Sequence, residues 1–172
     1  MGTGKTTVGR LVARRVGRRF VDLDDLVVEA AGGRPIADIF RHEGEAAFRQ
    51  LERQALGRAL DDADCVLATG GGAACREDNL GLLLDRARVV ALTAPPEEVL
   101  RRTGQRSGRP LLDGAGDPLA AARELLRQRE PFYARAHVQV DTAGKAPEAV
   151  ADEVVAALGE GRDGDDGKEE AG

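Results

Sequence analysis

The sequence predicts an α/β domain built on a parallel sheet. Helix-like and strand-like segments alternate along the chain, which is the pattern of helices packed on parallel strands. The strand-like segments are short and apolar, as buried parallel strands are. The third observation is where the polar chemistry sits: Asp22 and Asp24 close one strand and Gly70-Gly71-Gly72 closes another. Ligands of such sheets collect at the carboxyl ends of the strands.

Taken in order, Val8, Leu11, Val12 and Val16 recur at helical spacing, with Gly17 as the stop. Phe20 to Leu23 reads as a strand and Asp25 to Ala31 as a helix closed by Gly32-Gly33. Pro35 suits the first turn of a short helix, Ile36 to His42, before a longer one from Glu45 to Leu60. Cys65 to Thr69 is an apolar run of strand length. A helix over Glu77 to Leu84, a strand over Arg88 to Thr93 and a helix from Pro95 or Pro96 to Arg102 follow. Residues 104–117 are glycine- and arginine-rich without periodicity. Asp117-Pro118 opens a helix to about Arg129, His137 to Asp141 is a fourth strand, and Pro147 to Leu158 a final helix.

The 172 residues suit one domain, residues 1–158, followed by a disordered tail over 159–172 that holds six carboxylates against two cations. That tail accounts for most of the net charge of −5 and leaves the folded part near neutral, so no nucleic-acid surface is expected. No run reaches the ~20 apolar residues of a membrane span. With no signal-peptide pattern at the start, the cytoplasm is the expected location. Cys65 and Cys75 match neither zinc nor disulfide spacing and are read as small buried or partly buried side chains. A histidine-based metal site is not expected from His42 and His137 alone.

Met1-Gly2-Thr3-Gly4-Lys5-Thr6-Thr7 contains the back half of a Walker A phosphate loop, G-x-x-x-x-G-K-[ST]. Glycines there let backbone N–H groups converge on phosphate oxygens, and the following helix points its positive end at them. Lys5 then reaches the β- and γ-phosphates and the Thr6 hydroxyl a Mg²⁺ ion. The first glycine of the pattern would fall before Met1, and no strand precedes the loop. Asp22 and Asp24 suit either a metal and a substrate hydroxyl or a plain helix N-terminus. From the residues alone, Arg49 is a surface i,i+3 partner of Glu52, and Arg129 a charge at a helix end before Pro131. Three glycines after a buried strand point instead to close approach of a ligand or of the phosphate loop.

These segments together resemble shikimate kinase. The set comprises Gly2-Thr3-Gly4-Lys5-Thr6-Thr7, Asp22-x-Asp24, Gly33-Arg34-Pro35-Ile36, Phe48-Arg49-x-x-Glu52, Gly70-Gly71-Gly72-Ala73, Arg101-Arg102-Thr103, Arg109-Pro110-Leu111 and Arg129-x-Pro131-x-Tyr133. It spans residues 1–158 in register. The resemblance implies a three-layer P-loop kinase fold with a central parallel sheet, similar to nucleoside monophosphate kinases, whose first strand would lie upstream of Met1. A start assigned too late is the expectation for that departure. The resemblance also implies transfer of the ATP γ-phosphoryl group to the 3-hydroxyl of shikimate by a monomer. By analogy Gly2 to Thr7, Arg102 and Arg109 serve ATP, with Thr6 and Asp22 at Mg²⁺. Asp24, Arg49, Gly71, Gly72 and Arg129 would hold shikimate, and Lys5, Asp24 and Arg109 would act in catalysis, Arg109 from a lid over 104–117. One extra residue between Asp24 and Ile36 leaves Asp25 as a competitor for the role of Asp24. A gluconate-type kinase and an inactive truncated remnant or interaction module are the alternatives.

Overall fold

A computed structural model of the chain describes residues 2–62, 64–103 and 117–159. Apart from Asp117 and Gly159, the expected lid, with Arg109, and the expected tail lie outside the described residues.

Helix α1 (Lys5–Val16) starts at Gly4, whose φ of 84° is left-handed, and stops at Gly17, φ 69°, whose N–H bonds the Ala13 carbonyl. Strand β1 (Arg19–Asp22) passes directly into α2 (Leu23–Ala30). The junction comes two residues earlier than the sequence predicts because Asp22 is the cap: its carboxylate accepts from the Asp24 N–H at 3.1 Å. Leu23, expected in the strand, is fully buried in the first turn of α2. Asp24 is therefore a helical residue and not a strand-end one.

Helix α3 (Ile36–Leu60) joins the two helices expected there, with a kink at Gly44 (φ 80°, ψ 177°). Strand β2 (Cys65–Ala68), a 3₁₀ turn at Ala73–Cys75, α4 (Glu77–Arg86) and β3 (Val90–Thr93) follow. Helix α5 (Pro96–Thr103) precedes the undescribed segment. Helix α6 (Pro118–Tyr133) is capped by Asp117, which accepts from the Leu119 and Ala120 N–H groups at 2.9 and 3.1 Å. It continues through Pro131, one turn beyond its expected end, since a proline in the last turn need break only one ladder bond. Strand β4 (Val138–Asp141) and α7 (Pro147–Gly159) complete the order.

The parallel sheet, expected to lack its first strand, consists of two parallel ladders among the described residues. β1 pairs with β2, from Arg19 opposite Cys65 to Asp22 opposite Ala68. β3 pairs with β4, from Val90 opposite Val138 to Thr93 opposite Asp141. Among the described residues no strand joins them. A cavity of about 750 Å³ separates the ladders, with Val66 and Leu67 of β2 on one wall, Val90 and Leu92 of β3 on another, and Val8 and Val12 of α1 alongside. An extended segment lying there would pair with both open edges and make one sheet of the two ladders.

Two apolar clusters hold the elements. Leu23, Val27, Ile39, Phe48, Leu56 and Leu83 pack α2, α3 and α4 together. Val8 and Val12 of α1 pack with Val140 of β4 and with Val150, Ala151 and Val154 of α7. Among the described residues no helix is long and apolar enough to cross a membrane.

The kink at Gly44 lies in a backbone region open essentially to glycine alone. Gly44→Ala is expected to cost about 1–3 kcal/mol of stability, read as a lower urea midpoint with an unchanged slope.

Candidate active site

The nucleotide side is built on the start of α1. Gly2 (φ 72°) and Gly4 (φ 84°) turn the chain into the helix, and no side chain caps its N-terminus. The first-turn N–H groups thus face outward with the positive end of the helix dipole behind them. Gly2 is also a packing requirement: a methyl group on it would lie 2.9 Å from Thr103 Cγ2 and 3.0 Å from the Val99 carbonyl oxygen. The loop is therefore seated on α5. Lys5 Nζ donates to Thr3 Oγ1 at 3.5 Å.

Thr6 Oγ1 donates to Asp22 Oδ2 at 3.1 Å, so α1 and the end of β1 bring together the two residues assigned to the metal. Both offer hard oxygen donors. Among the described residues there is no group of three or more His, Cys, Asp or Glu side chains arranged to hold a metal. A hydroxyl and a carboxylate nonetheless fit Mg²⁺, which takes few protein ligands and completes its shell with phosphate and water.

A second cavity, about 400 Å³, opens beside the loop between Thr3, Gly4, Thr7, Arg101, Arg102 and Lys145. Arg102 is held along it from three directions. Its Nε donates to Glu98 Oε1 at 2.8 Å, Nη1 to Thr142 Oγ1 at 2.9 Å and Nη2 to the Thr142 carbonyl at 2.7 Å. The hydrogen bond from Arg101, with the charges of both arginines, holds the Glu98 carboxyl down at about 2, so this clamp stays ionised far below neutrality.

The opposite side is assembled from α2, α3 and the glycine turn after β2. Arg49 Nη1 donates to Glu52 Oε2 at 2.9 Å, while Nε and Nη2 donate to Glu45 Oε1 at 3.1 and 3.0 Å. The surface pair expected between Arg49 and Glu52 does form, but Glu52 is only 2% exposed. A carboxylate so buried must be matched by a charge or by donors. Burial pushes its carboxyl up from the ordinary value, Asp24 adds to that shift, and Arg49 opposes it. Glu45, whose side chain is 66% exposed, is the partner that an incoming carboxylate could replace.

The glycines are where these side chains converge. A methyl group on Gly70 would lie 3.3 Å from Asp24 Oδ1 and 3.8 Å from Glu52 Oε1. On Gly72 it would lie 3.2 Å from Arg49 Nη1. The structure thus brings Asp24 to the turn and shows no such contact for Asp25. Arg129 sits near the same turn, beside the Tyr133 hydroxyl. Of the residues given a site role from the sequence, Arg109 alone lies outside the described residues. The sequence assigned no role to Glu52, Tyr133 or Cys75, all of which face this turn. The Arg49-x-x-Glu52 spacing was the available signal for Glu52, but spacing does not reveal burial.

A helix-borne phosphate loop, a hydroxyl–carboxylate pair beside it and a glycine-lined bowl with arginine and aspartate together define a P-loop kinase of small molecules. Comparison with known proteins narrows the class. The family description "Shikimate kinase" matches residues 1–159. The shikimate kinase of Moorella thermoacetica is 47% identical over 158 residues, covering 92% of this chain and 90% of that protein. That of Salinispora arenicola is also 47% identical over 158 residues. Among solved structures, shikimate kinase from Acinetobacter baumannii in complex with shikimate superposes with a TM-score of 0.87 at 37% identity, covering 94% of this chain and 90% of that one. A gluconokinase from Sinorhizobium meliloti reaches a TM-score of 0.65 at 21% identity, which is likeness of fold alone. The chain belongs to the shikimate kinase family, and its fold is the three-layer P-loop kinase fold.

Glu52 supplies a test of the bowl. Its raised folded value means that its contribution to stability is complete below pH 4.5 and is lost as pH rises through that folded value. In Glu52→Gln this component is absent. The wild type is therefore expected to lose stability relative to the variant between pH 4 and pH 7, read from urea midpoints at both; a constant difference would show an unshifted carboxyl.

Proposed function

We propose that the chain transfers the γ-phosphoryl group of ATP to the 3-hydroxyl of shikimate, giving shikimate 3-phosphate in the synthesis of chorismate and the aromatic amino acids. The observation that carries this reading is the convergence on one glycine turn of Arg49 at Gly72 and Asp24 at Gly70. That arrangement offers a guanidinium to a carboxylate and a carboxylate to hydroxyls, the two kinds of group that a small hydroxylated acid presents.

Phosphoryl transfer asks a protein chiefly for positioning and for stabilisation of charge. The α1 N-terminus, Lys5 and the N–H groups of Gly2 to Thr7 receive the phosphates, and Arg102 flanks the adenine. Thr6 and Asp22 would hold Mg²⁺, which when bound would neutralise charge on the phosphate oxygens. Arg49 and Arg129 grip the shikimate carboxylate, with N–H groups of Gly71 and Gly72 on the ring substituents. Asp24 accepts the proton of the 3-hydroxyl as its oxygen forms a bond to the γ-phosphorus and the bond from that phosphorus to ADP breaks. Arg109 is assigned to the γ-phosphate. We assign residues 1–158 to one kinase domain and 159–172 to a tail, and take the working form to be a cytoplasmic monomer.

A coupled assay of ADP release with shikimate, gluconate and AMP in turn tests the reading. Turnover with shikimate alone is expected; turnover with gluconate and not shikimate would move the chain to the gluconate-type kinases. Asp24→Asn is expected to abolish turnover while Asp25→Asn retains it. Arg109→Ala is expected to lower kcat ~10³-fold with a smaller change in the KM for shikimate. Arg49→Lys keeps a charge but loses the planar fork, and is expected to act mainly on that KM.

A further inference from the structure

Tyr133 closes the sequence set Arg129-x-Pro131-x-Tyr133, yet phosphoryl transfer as set out above gives it nothing to do. Its hydroxyl donates to the Gly71 carbonyl oxygen at 3.1 Å, across 62 positions of the sequence. The Cys75 thiol donates to the same oxygen at 3.2 Å. Both lone pairs of that carbonyl are thereby engaged. Burial pushes the Tyr133 phenol and the Cys75 thiol above their ordinary values, so each keeps its proton, and its ability to donate, at neutral pH.

A trans peptide is planar, with its C=O and N–H pointing opposite ways. A Gly71 carbonyl fixed toward Tyr133 and Cys75 therefore aims the Gly72 N–H away from them. Gly70-Gly71-Gly72 needs such an external hold, because glycine has the widest choice of φ and ψ and no side chain to restrict a peptide flip. Gly72 also lies under the Arg49 guanidinium, so the direction of its N–H determines whether a donor joins that arginine at the same ligand.

We propose that Tyr133, seconded by Cys75, is a positioning residue: it sets the peptide between Gly71 and Gly72 and so aims the Gly72 N–H into the acceptor site. The inference rests on the shikimate reading for its ligand and on the two hydrogen bonds for its geometry. One hydroxyl on α6 thus orients the turn on which α2 and α3 converge.

The test uses the full chain and the variants Tyr133→Phe, Cys75→Ala, Cys75→Ser and the double variant Tyr133→Phe/Cys75→Ala. Phenylalanine keeps the ring and its packing and removes only the donor. Tyr133→Phe is expected to raise the KM for shikimate about fivefold, the loss of one hydrogen bond, and to leave the KM for ATP and the melting temperature nearly unchanged. Cys75→Ala is expected to act in the same direction more weakly, with Cys75→Ser restoring the wild-type value. The double variant, whose Gly71 carbonyl has lost both donors, is expected to exceed the product of the single effects. In ¹H–¹⁵N spectra without ligand, the Gly72 amide should give one sharp signal in the wild type and a broadened or doubled one in Tyr133→Phe. A fall in melting temperature with both KM values moving together, or no change in either KM, would reduce Tyr133 to an anchor of α6 and overturn the proposal. If the wild type ignores shikimate, the functional reading fails, and the Gly72 signal alone then decides the positioning role: sharp in both proteins overturns it, broadened only in the variant supports it.

Discussion

The buried carboxylate of Glu52 constrains much of the site around it. At 2% exposure it cannot remain charged without a partner, and Arg49 is the guanidinium that hydrogen-bonds it. Breaking such a pair from one side leaves an uncompensated charge, at a cost of about 3–5 kcal/mol. Arg49 is thus tied to the interior and cannot wander over the surface as a helix arginine otherwise does. The same carboxylate raises the cost of a second negative charge nearby, and Asp24 is that second charge. A ligand that brings hydroxyl donors to Asp24 relieves this repulsion, so the fixed pair favours polyhydroxylated ligands over purely apolar ones.

The nucleotide and acceptor sides are held by different means. On the acceptor side, side-chain polar contacts set the geometry: Arg49 with Glu52, Tyr133 with Gly71, and Asn79 Nδ2 with the Ala73 carbonyl at 3.1 Å. On the nucleotide side, steric fit seats the loop itself, with Gly2 pressed against α5 and Val8 and Val12 against α7, while polar contacts hold Arg102 beside it. Polar contacts of the first kind allow a donor to be aimed at one atom. Close packing of the second kind suits a loop whose backbone amides must all stay in place.

Much of this was legible in the sequence because it followed from local chemistry. Gly4 and Gly17 bracket α1, Asp117-Pro118 opens α6, and Gly44 divides α3, each where a residue's own backbone preference governs the chain. The ends of β1 and α2 were misplaced because Asp22 serves as both the last strand residue and a cap, a double role that hydrophobic spacing does not encode. Arg49 and Glu52 were paired correctly from their spacing, but which of the two is buried depends on what α2 and the glycine turn place over them. Tyr133 and Gly71 are 62 positions apart, and no local rule connects them. The division of the sheet into two ladders is not given by local rules either, and only the missing first strand implied by the family resemblance signalled it.

The phosphate loop is carried on α1, and α1 rests on α7 through Val8, Val12, Val150, Ala151 and Val154. Strands of both ladders add to that support, since Val66 of β2 and Val140 of β4 pack into the same cluster. The last described helix thereby shares in the foundation of the first functional turn. Shortening α7 would loosen the grip on triphosphate before it disturbed the bowl that receives the acceptor, although the two lie at opposite ends of the chain.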